Sequence, residues 1–185
     1  MSPRAGLSAE RVTTLALELV DREGLDALSL ARVAGTAGVA TPSLYKHVGG
    51  LVDLRDRVSV RVVAELTERV RDAVVGVAGE DAVRAVLREY RDYLVRYPHR
   101  AGLLVNPAAS EPAAELLDVV LAVLAGFGLS GAAAIHAARG LRSAVHGFAV
   151  LQVGGGFGLP EDLAESFRLL SDAVVVAVRQ TYLAS

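Results

Sequence analysis

Two short helical patterns joined by a glycine turn constrain the fold more than any other feature of this sequence. The first pattern begins at Ser29, a good helix N-cap, and ends at Gly38. The second has Thr41 as its expected N-cap and Pro42 at the first helical position, where the missing N–H costs nothing, and it runs to about Val48. Two short helices around such a turn form a helix-turn-helix.

The rest of the chain also repeats apolar residues at helical spacing. An amphipathic helix is expected from the N-cap Ser8 to Gly24, and it completes a three-helix head. Further helical patterns cover residues 51–75, 81–97, 100–105, 112–127, 130–153 and 160–183. No segment alternates polar and apolar residues as a strand does. The sequence therefore predicts an all-α fold of about nine helices.

Hydrophobic residues make up 52% of the chain, and the mean hydropathy of +0.41 is high for a soluble protein. We expect part of this apolar surface to lie in a subunit interface. Residues 119–138 contain no charged residue and are long enough for a membrane span. However, Gly126, Gly128 and Gly131 favour the end of one helix, a turn and the start of a second helix, so two buried helices are expected in place of one spanning helix. No export signal opens the chain, so we predict a cytoplasmic protein without membrane partners.

Several classes of chemistry find no support in the sequence. The chain has no cysteine, and its four histidines are scattered, which argues against disulfides, thiolate chemistry and a structural zinc site. It also lacks the nucleophile elbow, the phosphate-binding loop, the dinucleotide fingerprint and the zinc-protease pair. We therefore expect no catalytic residues, no metal and no cofactor.

The second short helix presents two different faces. Thr41, Pro42 and Tyr45 share one face because they are spaced i, i+1 and i+4. Leu44 and Val48 share another face, which is expected to dock against the head. The first face combines apolar atoms, which can meet thymine methyl groups, with polar tips that can meet bases or phosphates, so it suits a DNA major groove.

Other residues near this helix are candidates for contacts with the DNA backbone. Lys46 is the only lysine in the chain. Its ammonium group is expected to meet phosphate together with the polar groups of Ser43, Tyr45 and His47. Ser29, Arg32 and the N–H groups of Gly50 and Leu51 are further phosphate candidates, and Arg4 is a candidate for the minor groove.

The charge balance of the head leaves a second interpretation open. Residues 1–60 contain seven cations and seven anions, so the head has no net positive charge. Helix-turn-helix geometry is also found in proteins that do not bind DNA. By periodicity alone, an ordinary three-helix packing unit remains as plausible as a DNA-binding head.

A resemblance to a known family favours DNA binding. Residues 25–54 are LDALSLARVAGTAGVATPSLYKHVGGLVDL, and their S-L-x-x-V-A, A-G-V and S-L-Y-x-H-V elements resemble the DNA-binding head of TetR-family repressors. The resemblance implies a head over residues 1–66 and a body over residues 67–185. It also implies that Thr41, Pro42 and Tyr45 occupy base-contacting positions, whereas Gly50 replaces a lysine found at or near this position in many relatives.

The body resembles the C-terminal region of the WHG type within the same family. The similar stretch is residues 141–157, LRSAVHGFAVLQVGGGF. It contains the pair His146 and Gly147, but Arg142 stands where a tryptophan is expected. The resemblance implies a homodimer on a palindromic double-stranded DNA operator, with a small-molecule effector bound in the body.

Five residues of the body are candidates for effector contacts, and each has a structural alternative. Tyr90, Tyr93 and Tyr97 follow i, i+3 and i+7 spacing, which suits a pocket wall or a core stripe equally. His146 suits a pocket, but a core histidine hydrogen-bonded across a helix crossing is the more common case. Arg142 could bind the carboxylate of a ligand, although the simpler interpretation is that its side chain is exposed to solvent on one rim of its helix.

The resemblance to this family implies a ligand-responsive transcriptional repressor that is released from its operator by a small apolar effector. One alternative is a helical small-molecule-binding module whose degenerate head does not bind DNA. Another is a helical enzyme built around His146.

Overall fold

A computed structural model describes residues 7–182 of the chain, and these residues form helices without any strand. The α-helices are α1 (Ala9–Glu23), α2 (Leu30–Ala37), α3 (Leu51–Val74), α4 (Gly79–Arg96), α5 (Ala101–Val105), α6 (Glu111–Ala125), α7 (Gly131–Val153) and α8 (Leu163–Tyr182). The 3-10 segments are Leu25–Ala27, Thr41–Lys46 and Pro98–Arg100. The prediction of an all-α fold is confirmed, with Thr41–Lys46 in the place of the third predicted helix. Within residues 7–182, no helix is long and apolar enough to cross a membrane.

The chain divides into two compact units. Among the described residues, the first unit contains residues 7–62 and the segment His99–Ala108. The second unit contains Val63–Pro98 and residues 109–182. The predicted boundary after residue 66 lies inside α3, and it remains a prediction.

The core of the first unit forms around α1. This helix begins as predicted, because the Ser8 hydroxyl accepts the N–H of Arg11 at 3.1 Å. It ends at Gly24, whose φ of 87° suits glycine. As expected of an amphipathic helix, α1 has a buried apolar face, which consists of Val12, Leu15, Ala16, Leu19 and Val20. Each of the buried valines and leucines contributes about 1.5 to 3 kcal/mol of hydrophobic stabilisation, so this stripe anchors the unit.

The segment His99–Ala108 is fixed to the first unit by a buried ion pair. The Arg100 side chain is only 5% exposed, and two of its nitrogens donate to the two carboxylate oxygens of Asp21 in α1, each at 2.7 Å. The Ser59 hydroxyl of α3 donates to the carbonyl of Leu103 at 3.0 Å. The sequence analysis did not single out this arrangement, because its partners are far apart along the chain.

The second unit is built from α4, α6, α7, α8 and the C-terminal part of α3. α6 ends at Ala125 and α7 begins at Gly131, so the uncharged stretch forms two helices as predicted. The expected start of the last helix at Pro160 is wrong. α8 begins at Leu163 because the Asp162 carboxylate accepts the N–H of Ala164 at 2.9 Å and so takes the capping role.

Candidate nucleic-acid interface

The turn of the helix-turn-helix depends on a cap and a glycine. The Ser29 hydroxyl accepts the N–H of Arg32 at 3.3 Å, so α2 begins as predicted. Gly38 has a left-handed backbone with φ 69° and ψ 30°, and its N–H bonds to the end of α2. Only glycine adopts this conformation without steric cost, which explains why the chain turns at this residue.

The segment after the turn differs from the prediction in two respects. Thr41–Lys46 is a 3-10 helix, and Ala40, not Thr41, occupies the N-cap position. The N–H of Ser43 donates to the carbonyl of Ala40 at 2.9 Å, and that of His47 donates to Leu44 at 2.8 Å. These i to i+3 bonds are typical of short helical pieces, and Pro42 supplies no N–H for a longer ladder.

The predicted burial of Leu44 and Val48 and the predicted exposure of Pro42 and Tyr45 are confirmed, but Thr41 is half-buried. Leu44 is 0% exposed and Val48 is 3% exposed, so both belong to the core of the first unit. Tyr45 is 60% exposed, and Pro42 and Lys46 are exposed beside it. The remaining predicted contact residues of the segment are half-buried, namely Thr41, Ser43 and His47. A rigid anchor thus presents a phenol, a proline ring and an ammonium group outward.

Arg32 does not stand free for a phosphate. Its guanidinium forms an ion pair with Glu23, which also bonds to Arg22 at 3.0 Å. The hydrogen bond from Arg32, followed by that from Arg22, lowers the pKa of the Glu23 carboxyl. Arg32 must therefore share or leave Glu23 to contact DNA, whereas the Ser29 hydroxyl still has its own proton to donate.

The start of α3 has an acidic neighbour, Asp53, whose position beside the first N–H groups of this helix depends on the fold. The Asp53 carboxylate accepts the N–H of Gly49 at 2.8 Å and the Nε of Arg57 at 2.9 Å. The hydrogen bond from Arg57 is the main reason that the pKa of the Asp53 carboxyl is lowered, and the bond from Gly49 is the second. The N–H groups of Gly50 and Leu51 have no partner within the helix, but a negative charge beside them opposes phosphate binding.

Gly50 has a backbone reason for lacking a side chain. Its φ of 140° lies in a region that L residues rarely adopt, although a Cβ atom would meet nothing within 4 Å. A lysine at this position would therefore strain the backbone. Among the predicted phosphate contacts, Lys46 is left as the exposed cation without an ion pair within residues 7–182. Arg4, the predicted minor-groove residue, lies outside the described residues.

The candidate effector residues fall into two groups in the second unit. The Tyr90 hydroxyl lies 2.9 Å from Nδ1 of His146, across the packing of α4 on α7. Burial raises the pKa of the Tyr90 phenol, and the nearby Arg142 guanidinium opposes part of that rise. Burial and the same guanidinium lower the pKa of His146. Arg142 is exposed and His146 is half-buried. The three residues Tyr90, His146 and Arg142 therefore run from a buried phenol to the exposed side of α7.

The other two tyrosines contact different partners. The Tyr93 hydroxyl donates to Glu65 of α3 at 3.2 Å, and the Arg69 guanidinium lies 6.0 Å from the Tyr93 ring centroid. Tyr97 is half-buried, and its ring centroid lies 5.2 Å from that of Tyr93. The three tyrosines therefore do not form one continuous wall.

The sequence analysis missed a stripe of arginines on α4. Arg84, Arg88 and Arg91 follow i, i+4 and i+7 spacing, which places them on one helix face. They line a cavity of about 430 Å³ together with residues of α8. The spacing was visible in the sequence, but the partner helix was not.

Comparison with known proteins identifies relatives along most of the chain. Residues 83–174 match the family model described as the tetracyclin repressor-like C-terminal domain. The chain is 36% identical over 171 residues to the HTH-type transcriptional regulator YobS of Bacillus subtilis, covering 90% of each protein. It is 35% identical over 158 residues to the HTH-type regulator Rv0681 of Mycobacterium tuberculosis, covering 82% of this chain and 72% of that protein.

A solved structure shares the fold. The Streptomyces coelicolor TetR family protein ActR, determined in complex with actinorhodin, superposes with a TM-score of 0.75 at 21% identity. The match covers 94% of this chain and 97% of ActR.

Proposed function

Because this chain belongs to the TetR family of helix-turn-helix transcriptional regulators, we propose that it represses transcription from a palindromic operator until a small effector releases it. The observation that best supports this role is the outward face of Thr41–Lys46. Pro42, Tyr45 and Lys46 are exposed there above the fully buried Leu44. A structural unit has no need to expose a tyrosine and a lysine side by side on such an anchor.

On the operator, we assign two kinds of contact to this face. Thr41, Pro42 and Tyr45 meet base edges and thymine methyl groups, which provide sequence selectivity. Lys46 binds phosphate, with help from the hydroxyls of Ser43 and Ser29, and sets the register. Arg32, Gly50 and Leu51 are secondary contacts, because the neighbouring Glu23 and Asp53 carboxylates weaken phosphate binding there. His47 is also a secondary contact, because it is half-buried.

The proposal includes a homodimer formed through α7 and α8. Leu151 on α7 is 50% exposed, and Leu169 and Val176 on α8 are 55% and 46% exposed. A Cβ added at Gly147 would meet nothing within 4 Å, so another helix has space to approach α7 there. A two-fold dimer would present two heads to successive major grooves, roughly 34 to 36 Å apart.

We assign effector binding to the second unit. The hydrogen-bonded pair Tyr90 and His146, with Arg142 beside it, offers an effector polar groups among apolar helices. Tyr93 and Tyr97, which follow Tyr90 along the chain, are the other two candidate contacts. Ligand binding by the fold neighbour ActR is compatible with this assignment. An effector that binds more tightly to a state with wrongly spaced heads stabilises that state. It lowers operator affinity by the difference between its binding free energies for the two states. Acting on DNA in the cytoplasm, the protein needs no catalytic activity for this role.

A second candidate function is a ligand-binding module whose head does not bind DNA. The Glu23 and Asp53 carboxylates favour it, because each engages a cation of the head. The two functions differ in what purified protein selects from a random DNA pool.

The decisive experiment is such a selection, followed by a salt series on the enriched sequence. We expect a palindromic site to be enriched. Lys46→Gln should reduce the slope of log affinity against log salt by about 2, because each of the two subunits on the operator loses one phosphate contact. Arg139→Gln, an exposed arginine of α7, is the charge-matched control. Selection that enriches no sequence would overturn the repressor proposal in favour of the binding module.

A further inference from the structure

The groove between α4 and α8 contains four arginines. Arg84, Arg88 and Arg91 come from α4, and Arg168 comes from α8. Its other lining residues are Asp92, Ala164, Phe167, Ser171 and Asp172. The nine lining residues thus have four positive and two negative side chains, around a cavity of about 430 Å³.

Arg91 is the most buried of the four arginines, and its charge has little compensation. Its side chain is 16% exposed, and the carboxylate ion-paired to it within residues 7–182 is Asp92, at a long 3.4 Å. Its Nε donates to the amide oxygen of Gln152 at 2.9 Å, and its guanidinium lies 4.8 Å from the ring centroid of Phe167. A charge this far removed from water requires a good counterion, and the long contact to Asp92 supplies it poorly.

The four arginines differ in how far their charges are already neutralised. Arg84 bonds to Asp172 at 3.1 Å and to two acidic residues of its own helix. Arg168 pairs with Glu165 at 2.6 Å and with Asp172 at 2.7 Å. Arg88 is exposed and makes no ion pair with any residue that the structure describes. Arg88 and Arg91 are therefore the cations available to a ligand, one helical turn apart on α4.

We propose that this groove binds a small organic acid, whose carboxylate is held by Arg88 and Arg91. Guanidinium groups match the planar geometry of a carboxylate and form short, charge-assisted hydrogen bonds with it. Ala164 and Phe167 give the apolar part of the acid a surface. Asp92 and Asp172 repel a polyanion such as nucleic acid, and the cavity volume suits a small ligand.

This site is separate from the Tyr90 and His146 pair, and its occupancy requires neither DNA nor a dimer. The test therefore uses the full chain without DNA and titrates it calorimetrically with benzoate and with the neutral analogue benzamide. We expect saturable benzoate binding with a Kd on the order of 1 mM, and at least about tenfold weaker binding of benzamide.

Variants locate the binding. Arg88→Gln, which removes an exposed side chain, should weaken benzoate at least about fivefold, while Arg55→Gln, an exposed arginine of α3, should leave it unchanged. Because Arg91 packs on Phe167, its involvement is followed in the unsubstituted protein by the NMR shift of its Nε–H on adding benzoate. Any of three results would overturn the proposal: benzoate binding that does not saturate, benzamide binding as tight as that of benzoate, or an Arg88→Gln variant that binds benzoate with unchanged affinity. Operator affinity of Arg88→Gln without benzoate should match that of the unsubstituted protein, so this test and the repressor proposal fail independently.

Discussion

Leu44 and Tyr45 are neighbours in the chain, but their side chains have opposite environments. Leu44 has no exposed surface, whereas Tyr45 is 60% exposed. The i, i+4 pairing of Leu44 with Val48 allowed this contrast to be predicted from the sequence. The same reasoning did not reveal that Glu23 engages Arg32, because that ion pair depends on how α2 packs against the end of α1.

This contrast predicts different costs for two truncations. Leu44→Ala should lower the free energy of unfolding by about 2 to 5 kcal/mol, because it leaves a cavity in a closed core. Tyr45→Ala should change it by less than about 0.5 kcal/mol, as for most surface substitutions. Urea denaturation measures both, and equal losses would contradict the assignment of faces.

His146 should make stability depend on pH. Its pKa in the folded protein lies below the ordinary value of 6.5 because of burial, with the Arg142 guanidinium as the second cause. As pH falls below 6.5, the unfolded chain binds a proton before the folded protein does, so the free energy of unfolding decreases; above 6.5 the group contributes nothing.

Denaturation at several values between about pH 7 and pH 5.5 tests this dependence. His146→Gln should flatten the decline, and His136→Gln, an exposed histidine of the same helix, serves as the matched substitution. An unaltered decline in His146→Gln would show that other groups cause it.

At the scale of elements, the helices that the sequence predicted best are those with strong local signals. Ser8, Ser29 and Gly38 mark helix ends as expected because capping depends on neighbouring residues alone. The 3-10 geometry of Thr41–Lys46 was not predictable in this way, since the choice between two hydrogen-bond patterns follows from how the segment docks. The attachment of His99–Ala108 to the first unit depends on partners distant in sequence.

The ion pair of Asp21 and Arg100 should therefore be a strong determinant of that attachment. Asp21→Asn removes a negative charge from a nearly buried guanidinium and should lower the free energy of unfolding by about 2 to 3 kcal/mol. Asp53→Asn breaks an exposed pair with Arg57 and should cost less than about 1 kcal/mol. If thermal denaturation showed similar losses for both, the buried pair would not have the anchoring role assigned to it.

For the whole molecule, the apolar composition of the chain predicts a subunit interface, and the exposed leucines and valines of α7 and α8 are the location that we propose for it. The proposed effector site was less predictable, because the tyrosine stripe divides between two sets of partners. Periodicity identified the residues on one helix, but it contains no information on which neighbour each one contacts.

Sedimentation velocity tests the proposed dimer. The unsubstituted protein should sediment as a dimer at micromolar concentration, and the double variant Leu169→Glu, Val176→Glu should sediment as a monomer, because four charges would face each other across the interface. Leu117→Glu on α6, where the leucine is 42% exposed, is the control. A monomeric unsubstituted protein would contradict the interface.

The outward face of Thr41–Lys46 is the central feature of the proposed repressor, and fluorescence anisotropy on the selected operator tests directly whether it binds DNA. Tyr45→Ala should weaken operator binding by about 1 to 3 kcal/mol, while the melting temperature of this variant stays unchanged. The control variant Arg139→Gln should bind the operator as tightly as the unsubstituted protein. Operator affinity of Tyr45→Ala equal to that of the unsubstituted protein would contradict the claim that this face binds DNA.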